Sequence, residues 1–204
     1  VKRLLKRLIL KNISYFQYYH LNTFFMKKIF LFLVITITIN ASAQTTDYVV
    51  SMAGIGPFKI GMKKVELEKV LAKKITLHYL SDKDSGYADT IKTKYKNMDV
   101  ILYLGKQYID ENKEDIILTG VRSGSSLCKT KSGIAIGDDK IKVINVYESN
   151  TLYIWPEFED DTYTRRSKTK SLISISADDS ENTIVVHLVN KKVVAFEVMY
   201  YEGE

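Results

Sequence analysis

The stretches Phe58–Leu71, FKIGMKKVELEKVL, and Ile134–Tyr147, IAIGDDKIKVINVY, spell one phrase twice. Phe58 aligns with Ile134, Ile60 with Ile136, Gly61 with Gly137, Lys64 with Lys140 and Val65 with Ile141. Leu67, Val70 and Leu71 are spaced i, i+3, i+4, and so are Val143, Val146 and Tyr147. Each triple makes one apolar stripe on a helix. The glycine before each helix suits a sharp entry, because it takes unusual φ values at no steric cost. Asp138 and Asp139 also complement the helix dipole, whereas Lys63 and Lys64 do not. The pattern predicts helices over about Met62–Lys73 and about Asp138–Glu148. At roughly 11 residues neither is stable alone, so a sheet must supply the apolar partner.

Working outward, strand-like runs follow each helix. After the first come Ile75–Leu80, Met98–Leu104 and Asp115–Arg122, separated by the turn clusters SDKDSG and KQYIDENKED. After the second come Leu152–Trp155, Leu172–Ser176, Thr183–Val189 and Val193–Tyr201. The last two predict a hairpin turning at Asn190-Lys191. Ile184, Val186 and Leu188 then face Val194, Phe196, Val198 and Tyr200, and His187, Glu197 and Lys192 fall on the mixed opposite side with Val185 and Met199. The expected fold class is α+β: two helix-then-antiparallel-strand repeats sharing one sheet layer, at about 54–122 and 131–204.

The phrase Ile-Gly-x-x-x-x-Val, opening a short helix before a β-meander, resembles the repeat unit of β-lactamase-inhibitor-protein-like and outer-membrane-assembly BamE-like domains. The stretch IGPFKIGMKKVELEKVL, Ile55–Leu71, is also similar to openings of exported proteins of Bacteroidota. The resemblance implies a helix packed on an antiparallel sheet, often in tandem, and a protein-binding rather than enzymatic role. It transfers no functional residue.

The front of the chain reads as targeting. Met26-Lys27-Lys28, the apolar run Ile29–Ile39 and Ala41-Ser42-Ala43 form a signal peptide over 26–43. Its apolar run is shorter than the roughly 20 residues of a membrane span. Residues 1–25 read as an upstream mis-start or an extended n-region, and 44–204 as the mature domain, periplasmic or secreted. Seven Lys and Arg and no Asp or Glu lie in 1–43. Of the chain's 30 basic and 24 acidic residues, 23 and 24 therefore lie from 44 onward, for a formal charge of −1. That balance argues against nucleic acid as the partner. The BamE pattern's lipidated cysteine has no counterpart after the apolar run, so no stable membrane anchor is expected once the signal is cleaved.

Chemistry is sparse. GIGPFKIG places glycines at 54, 56 and 61, but Lys59 sits where a dinucleotide fingerprint needs glycine. Cys128 is the one cysteine and reads as a buried thiol, with a Cys–His nucleophile as the minority reading. A small hydrolase using His78 or His187 with nearby carboxylates is one alternative function, and a periplasmic binder of a small ligand is another. No zinc spacing occurs. The loop with Asp82, Asp84 and Asp89 around Gly86 misses the calcium pattern at the glycine and the twelfth position, and reads as a solvated turn. No metal and no cofactor are expected. EFEDD, Glu157–Asp161, before RRSKTK, Arg165–Lys170, reads as a hairpin tip with surface ion pairs or a charged docking edge. Tyr153, Trp155 and Phe158, clustered near Pro156, are the candidate binding residues, for a protein or envelope partner or a glycan, with Trp155 closing the core as the competing reading.

Overall fold

The computed structural model describes residues 48–80, 89–110, 113–160, 162–177 and 180–200. The segment 1–25, the signal over 26–43, and Asp82, Asp84 and Gly86 of the acidic loop lie outside the described residues.

The chain runs β1 (Val49–Ser51), β2 (Gly54–Ile55), β3 (Phe58–Lys59), α1 (Lys64–Leu71), β4 (Asp89–Tyr95), β5 (Met98–Asp110), β6 (Lys113–Ser123), β7 (Lys129–Thr130), α2 (Lys140–Val146), β8 (Thr151–Phe158), β9 (Arg166–Ser176), β10 (Asn182–Val189) and β11 (Lys192–Tyr200). Seven strands form an antiparallel sheet in the order β4-β5-β6-β11-β10-β9-β8. A second sheet, β3-β2-β1-β7, contains one parallel pair, β1 with β7.

This overturns the expected α+β class. The helices are only eight and seven residues long, against eleven strands among the described residues. The fold is mostly β, and its strands lie in two sheets rather than one layer. Two signals caused the overreading. Both helices are shorter than the spans Met62–Lys73 and Asp138–Glu148 that their stripes predict, and the strands β1, β2, β3 and β7 are too short to show any periodicity. The polar alternation DTIKTKY of β4 also escaped the strand reading, because an edge strand need not be apolar.

The two glycine phrases do share a docking geometry. Gly61 N–H donates to the Leu118 carbonyl at 2.8 Å, and Leu118 N–H donates back to the Met62 carbonyl at 2.9 Å. Gly137 N–H donates to the Val193 carbonyl at 2.8 Å, and Val193 N–H to the Asp138 carbonyl at 2.9 Å. Both glycines have positive φ, 82° and 92°, the region where a side chain would be strained. The strands that receive them, β6 and β11, pair with each other at the middle of the sheet. Each carries a bulge one residue further on: Thr119 on β6 and Val194 on β11 are left unpaired. Leu118, Thr119 and Gly120 thus correspond to Val193, Val194 and Ala195. The pair Val121–Val198 corresponds in the same way to Phe196–Ser123, so the opposed residues Arg122 and Glu197 mark the local twofold centre.

The β11 bulge also corrects one strand face. Val193, not Val194, opposes Leu188 and is buried, and Val194 is exposed. The turn at Asn190-Lys191 is as read: both residues have positive φ, the type I′ geometry that matches hairpin twist.

One face of the large sheet is the core. Leu102, Leu104, Val121, Ile173, Val186 and Phe196 meet Val50 and Phe58 from the small sheet, Leu67 from α1, and Val143 and Tyr147 from α2. Burying a Leu such as Leu67 contributes about 1.5–3 kcal/mol, enough to hold a helix of this length in place.

The run Ile75–Leu80 reads as a strand in sequence but forms a loop, because two carboxylates take its backbone donors. The Glu68 carboxylate accepts the Ile75 N–H at 3.0 Å and the ammonium groups of Lys64 and Lys74 at 2.8 and 3.0 Å. The Lys64 bond, the Ile75 N–H and the Lys74 bond hold its carboxyl down to about 2 against the cost of burial. The buried Asp89 carboxylate, at the start of β4, accepts the N–H groups of His78, Tyr79 and Leu80 at 3.0, 3.2 and 2.8 Å. Burial raises its carboxyl, but the three N–H bonds outweigh that and leave it below the usual range. Asp89 is therefore a backbone clamp, with its oxygens already occupied.

Candidate binding surface

The sequence TLYIWPEF forms β8, the last strand of the large sheet. Its inner edge pairs with β9, and its outer edge has no strand partner among the described residues. Leu152 and Ile154 sit opposite Ile175 and Ile173, on the core side. Tyr153 and Trp155 sit opposite Ser174 and Leu172, on the other face. Tyr153 is 60%, Ile154 43% and Trp155 39% exposed, so three large side chains in a row are left in water on an edge strand. Exposed edges of this kind are usually blunted by charge or proline, and here only Pro156 interrupts the N–H ladder.

The structure brings Tyr153 and Trp155 to one face and separates Phe158 from them. A register shift falls between Pro156 and Phe158, and Phe158 packs edge-on against Tyr163 at 5.4 Å. Beyond it the acidic-then-basic run forms the expected hairpin tip. Glu159 pairs with Arg165 Nε at 3.0 Å. The Asp160 carboxylate accepts the Thr164 and Arg165 N–H groups and both threonine hydroxyls, Thr162 and Thr164. Those bonds, led by the Thr164 N–H, hold the Asp160 carboxyl below the usual range. The tip is closed on itself and contributes rigidity to the end of β8.

From Tyr153 a row of directly opposed residues crosses all seven strands: Ser174, Val185, Glu197, Arg122, Ile101 and finally Lys92. It lies on the face away from the core cluster. Next to it, His187 Nε2 and the Glu197 carboxylate are 2.8 Å apart. His187 is buried, and its Nδ1 has no hydrogen-bond partner among the described residues. Tyr103 hydrogen-bonds Arg122 on the same face, and burial together with the Glu197 charge pushes its phenol up.

This face does not assemble a nucleophilic site. Cys128 is buried on the other side of the sheet, in the core, with its thiol 3.6 Å from the Met98 sulfur. Burial pushes the Cys128 thiol up, away from the reactive thiolate. His78 is exposed on the loop clamped by Asp89, in another part of the molecule from the His187–Glu197 pair. The two histidines and the cysteine are thus three separate environments, not one constellation.

Sequence reading missed what surrounds Trp155. A cleft of about 580 Å³ runs between β8, the start of α2 and the β10–β11 turn, with Ile154, Trp155 and Pro156 on one wall. Lys140, Lys168, Lys170 and Lys191 line the rest together with Ser167, Thr169, Ser171 and Asn190. Lys168 and Lys170 belong to the basic run noted in the sequence, but Lys140 and Lys191 come from elements distant in the chain. No local pattern signals that convergence. No family model, curated protein or solved structure matches this chain.

Proposed function

We propose that this protein is a non-enzymatic binding module of the cell envelope, exported to the periplasm or beyond, that takes hold of a partner protein along β8. One observation carries the reading: an edge strand whose outer side has no strand partner among the described residues presents Tyr153, Ile154 and Trp155 to solvent in sequence. Main-chain pairing supplies affinity in strand addition, and alternating side chains supply specificity. Tyr and Trp are also the residue types enriched at protein interfaces. The resemblance of the glycine-helix phrase to protein-binding domains points the same way. The alternative reading as a hydrolase has one supporting feature, the His187–Glu197 pair, but no hydroxyl or thiol is bonded to that histidine among the described residues.

The test is placement of a photocrosslinking side chain at position 153, and separately at Lys94 on the opposite edge, in the cell that makes the protein. A discrete adduct from position 153 and none from position 94 is expected. Equal labelling from both positions, or none from either, would sink the reading.

A further inference from the structure

The cleft beside Trp155 adjoins a second one of about 810 Å³, lined by Ile141, Asn145 and Val146 of α2. The two meet at Lys140 and Lys191, which line both. Charge in this groove is one-sided. The nearby carboxylates are already used: Asp138 pairs with Lys142 at 2.8 Å, and Asp139 with Lys192 at 2.9 Å. Lys140, Lys168, Lys170 and Lys191 have no carboxylate partner among the described residues. The groove, whose one lining carboxylate, Asp139, is paired with Lys192, therefore holds four lysines with no carboxylate partner among the described residues, beside the apolar Ile154, Pro156, Ile141 and Val146, in a domain whose sequence from residue 44 onward is close to neutral.

We infer that this groove receives an acidic, extended segment of the partner protein, its carboxylates over the lysines and its apolar side chains against Ile154 and Pro156. The inference rests on the reading of β8 as a partner-binding strand and adds the chemistry of what binds. Three features favour a peptide over other polyanions. The groove runs beside the outer edge of β8, which a peptide backbone can pair and a sugar or phosphate chain cannot. Its lining sets the apolar Ile154, Pro156, Ile141 and Val146, exposed or partly so, beside Ser167, Thr169, Ser171 and Asn190, a mixture that suits a peptide's side chains and backbone together. Its cations are all lysines, without the arginine forks that grip phosphate in bidentate fashion.

Trp155 is the chain's one tryptophan, so its fluorescence reports directly on the groove. The full chain is titrated with a synthetic peptide alternating Glu or Asp with Leu or Val, and with the same peptide carrying Gln and Asn in place of the acids. Expected are a saturable fluorescence change with the acidic peptide, weakening as salt rises, and at least about tenfold weaker binding of the amide peptide. The double substitution K140E/K191E should weaken the acidic peptide by at least about tenfold, while K92E/K94E on the far edge changes it by less than about twofold. Circular dichroism establishes that both variants are folded. Equal binding of the two peptides, indifference to K140E/K191E, or tighter binding of heparin or duplex DNA at matched charge would each overturn the inference. An adduct from position 153 whose partner segment is neutral or basic would overturn it too, while leaving the partner-binding reading of β8 standing. Loss of the adduct together with loss of peptide binding would end both.

Discussion

Along β4, Lys92 and Lys94 are exposed on one outer edge of the large sheet. Along β8, the opposite edge, the equivalent alternation carries Tyr153 and Trp155. Lys92 and Tyr153 are the two ends of one row of opposed residues, so the contrast is between like positions. Lysine on an edge strand costs little and repels a second strand; an aromatic there is open to pairing. The edges also differ in how they are held. β4 begins at a buried carboxylate that fixes three backbone N–H groups of the preceding loop, whereas β8 ends in an exposed hairpin tip. The first edge is protected and clamped. The second has no strand partner among the described residues, and it is the edge the proposed partner would pair.

The clamp offers the largest way to test that contrast. Asp89→Ala removes a charged acceptor and leaves the N–H groups of His78, Tyr79 and Leu80 unmatched beneath the loop. The expected loss is about 2–4 kcal/mol, from hydrogen bonds to a charged group at a buried site, measured by urea unfolding. Acid gives an independent check. The carboxyls of Asp89 and Glu68 are both lowered in the folded state, Glu68 to about 2. A lowered carboxylate contributes stability that is complete above its unfolded value and disappears as pH falls toward its folded one. Stability should therefore decline below about pH 5, and less steeply in Asp89→Asn and Glu68→Gln than in the parent. An unchanged acid slope in both variants would show that neither carboxylate is the clamp.

If the two halves of the sheet differ only at their edges, their inner frames should respond alike. Gly61 and Gly137 provide the matched pair. Each has positive φ, and nothing lies within 4 Å of the position a methyl group would take. Replacement by alanine thus adds backbone strain without a clash, about 1–2 kcal/mol each. Equal shifts in the urea midpoint are the expected result. A cost at Gly61 twice that at Gly137 would mean that the two docking points, alike in hydrogen bonding, are unlike in rigidity.

How far the sequence reveals this follows from which forces are local. The glycine phrases and the Asn190-Lys191 turn are local and legible, and so is the pairing face of β10 and β11 up to the bulge at Val194. Fold class is not, because the helical stripes Leu67–Leu71 and Val143–Tyr147 weigh heavily in a reading by period. The two- and three-residue strands of the small sheet show no period at all. Ile75–Leu80 misleads for a different reason: its apolar residues do bury, Ile75 and Leu80 fully, but its N–H groups go to Glu68 and Asp89 instead of to a ladder. Of the surface, the aromatic cluster near Pro156 is legible, but the sequence leaves open whether Trp155 closes the core or faces water, and Phe158 is drawn away by the register shift that precedes it. The lysine groove depends on three elements meeting in space, and only the basic run Arg165–Lys170 carries a local trace of it.

The smallest expected change in stability tests the edges themselves. Y153K/W155K transplants the alternation of Lys92 and Lys94 onto β8. Tyr153 is mostly in water and Trp155 is partly so, so the double variant should lose only about 1 kcal/mol. The photocrosslinked adduct, with the probe moved to Ile154 in both the parent and the variant, should nevertheless fall sharply in the variant, since the two aromatic contacts that the partner would use are gone. The reverse transplant, K92Y/K94W, should create a second open edge and shift the protein toward dimers or larger species in size-exclusion chromatography. Both outcomes follow if edge chemistry alone decides which side of the sheet is sociable. A Y153K/W155K variant that still captures its partner would place the binding determinant elsewhere, most directly on the face carrying His187 and Glu197, where the buried His187 Nδ1 has no hydrogen-bond partner among the described residues.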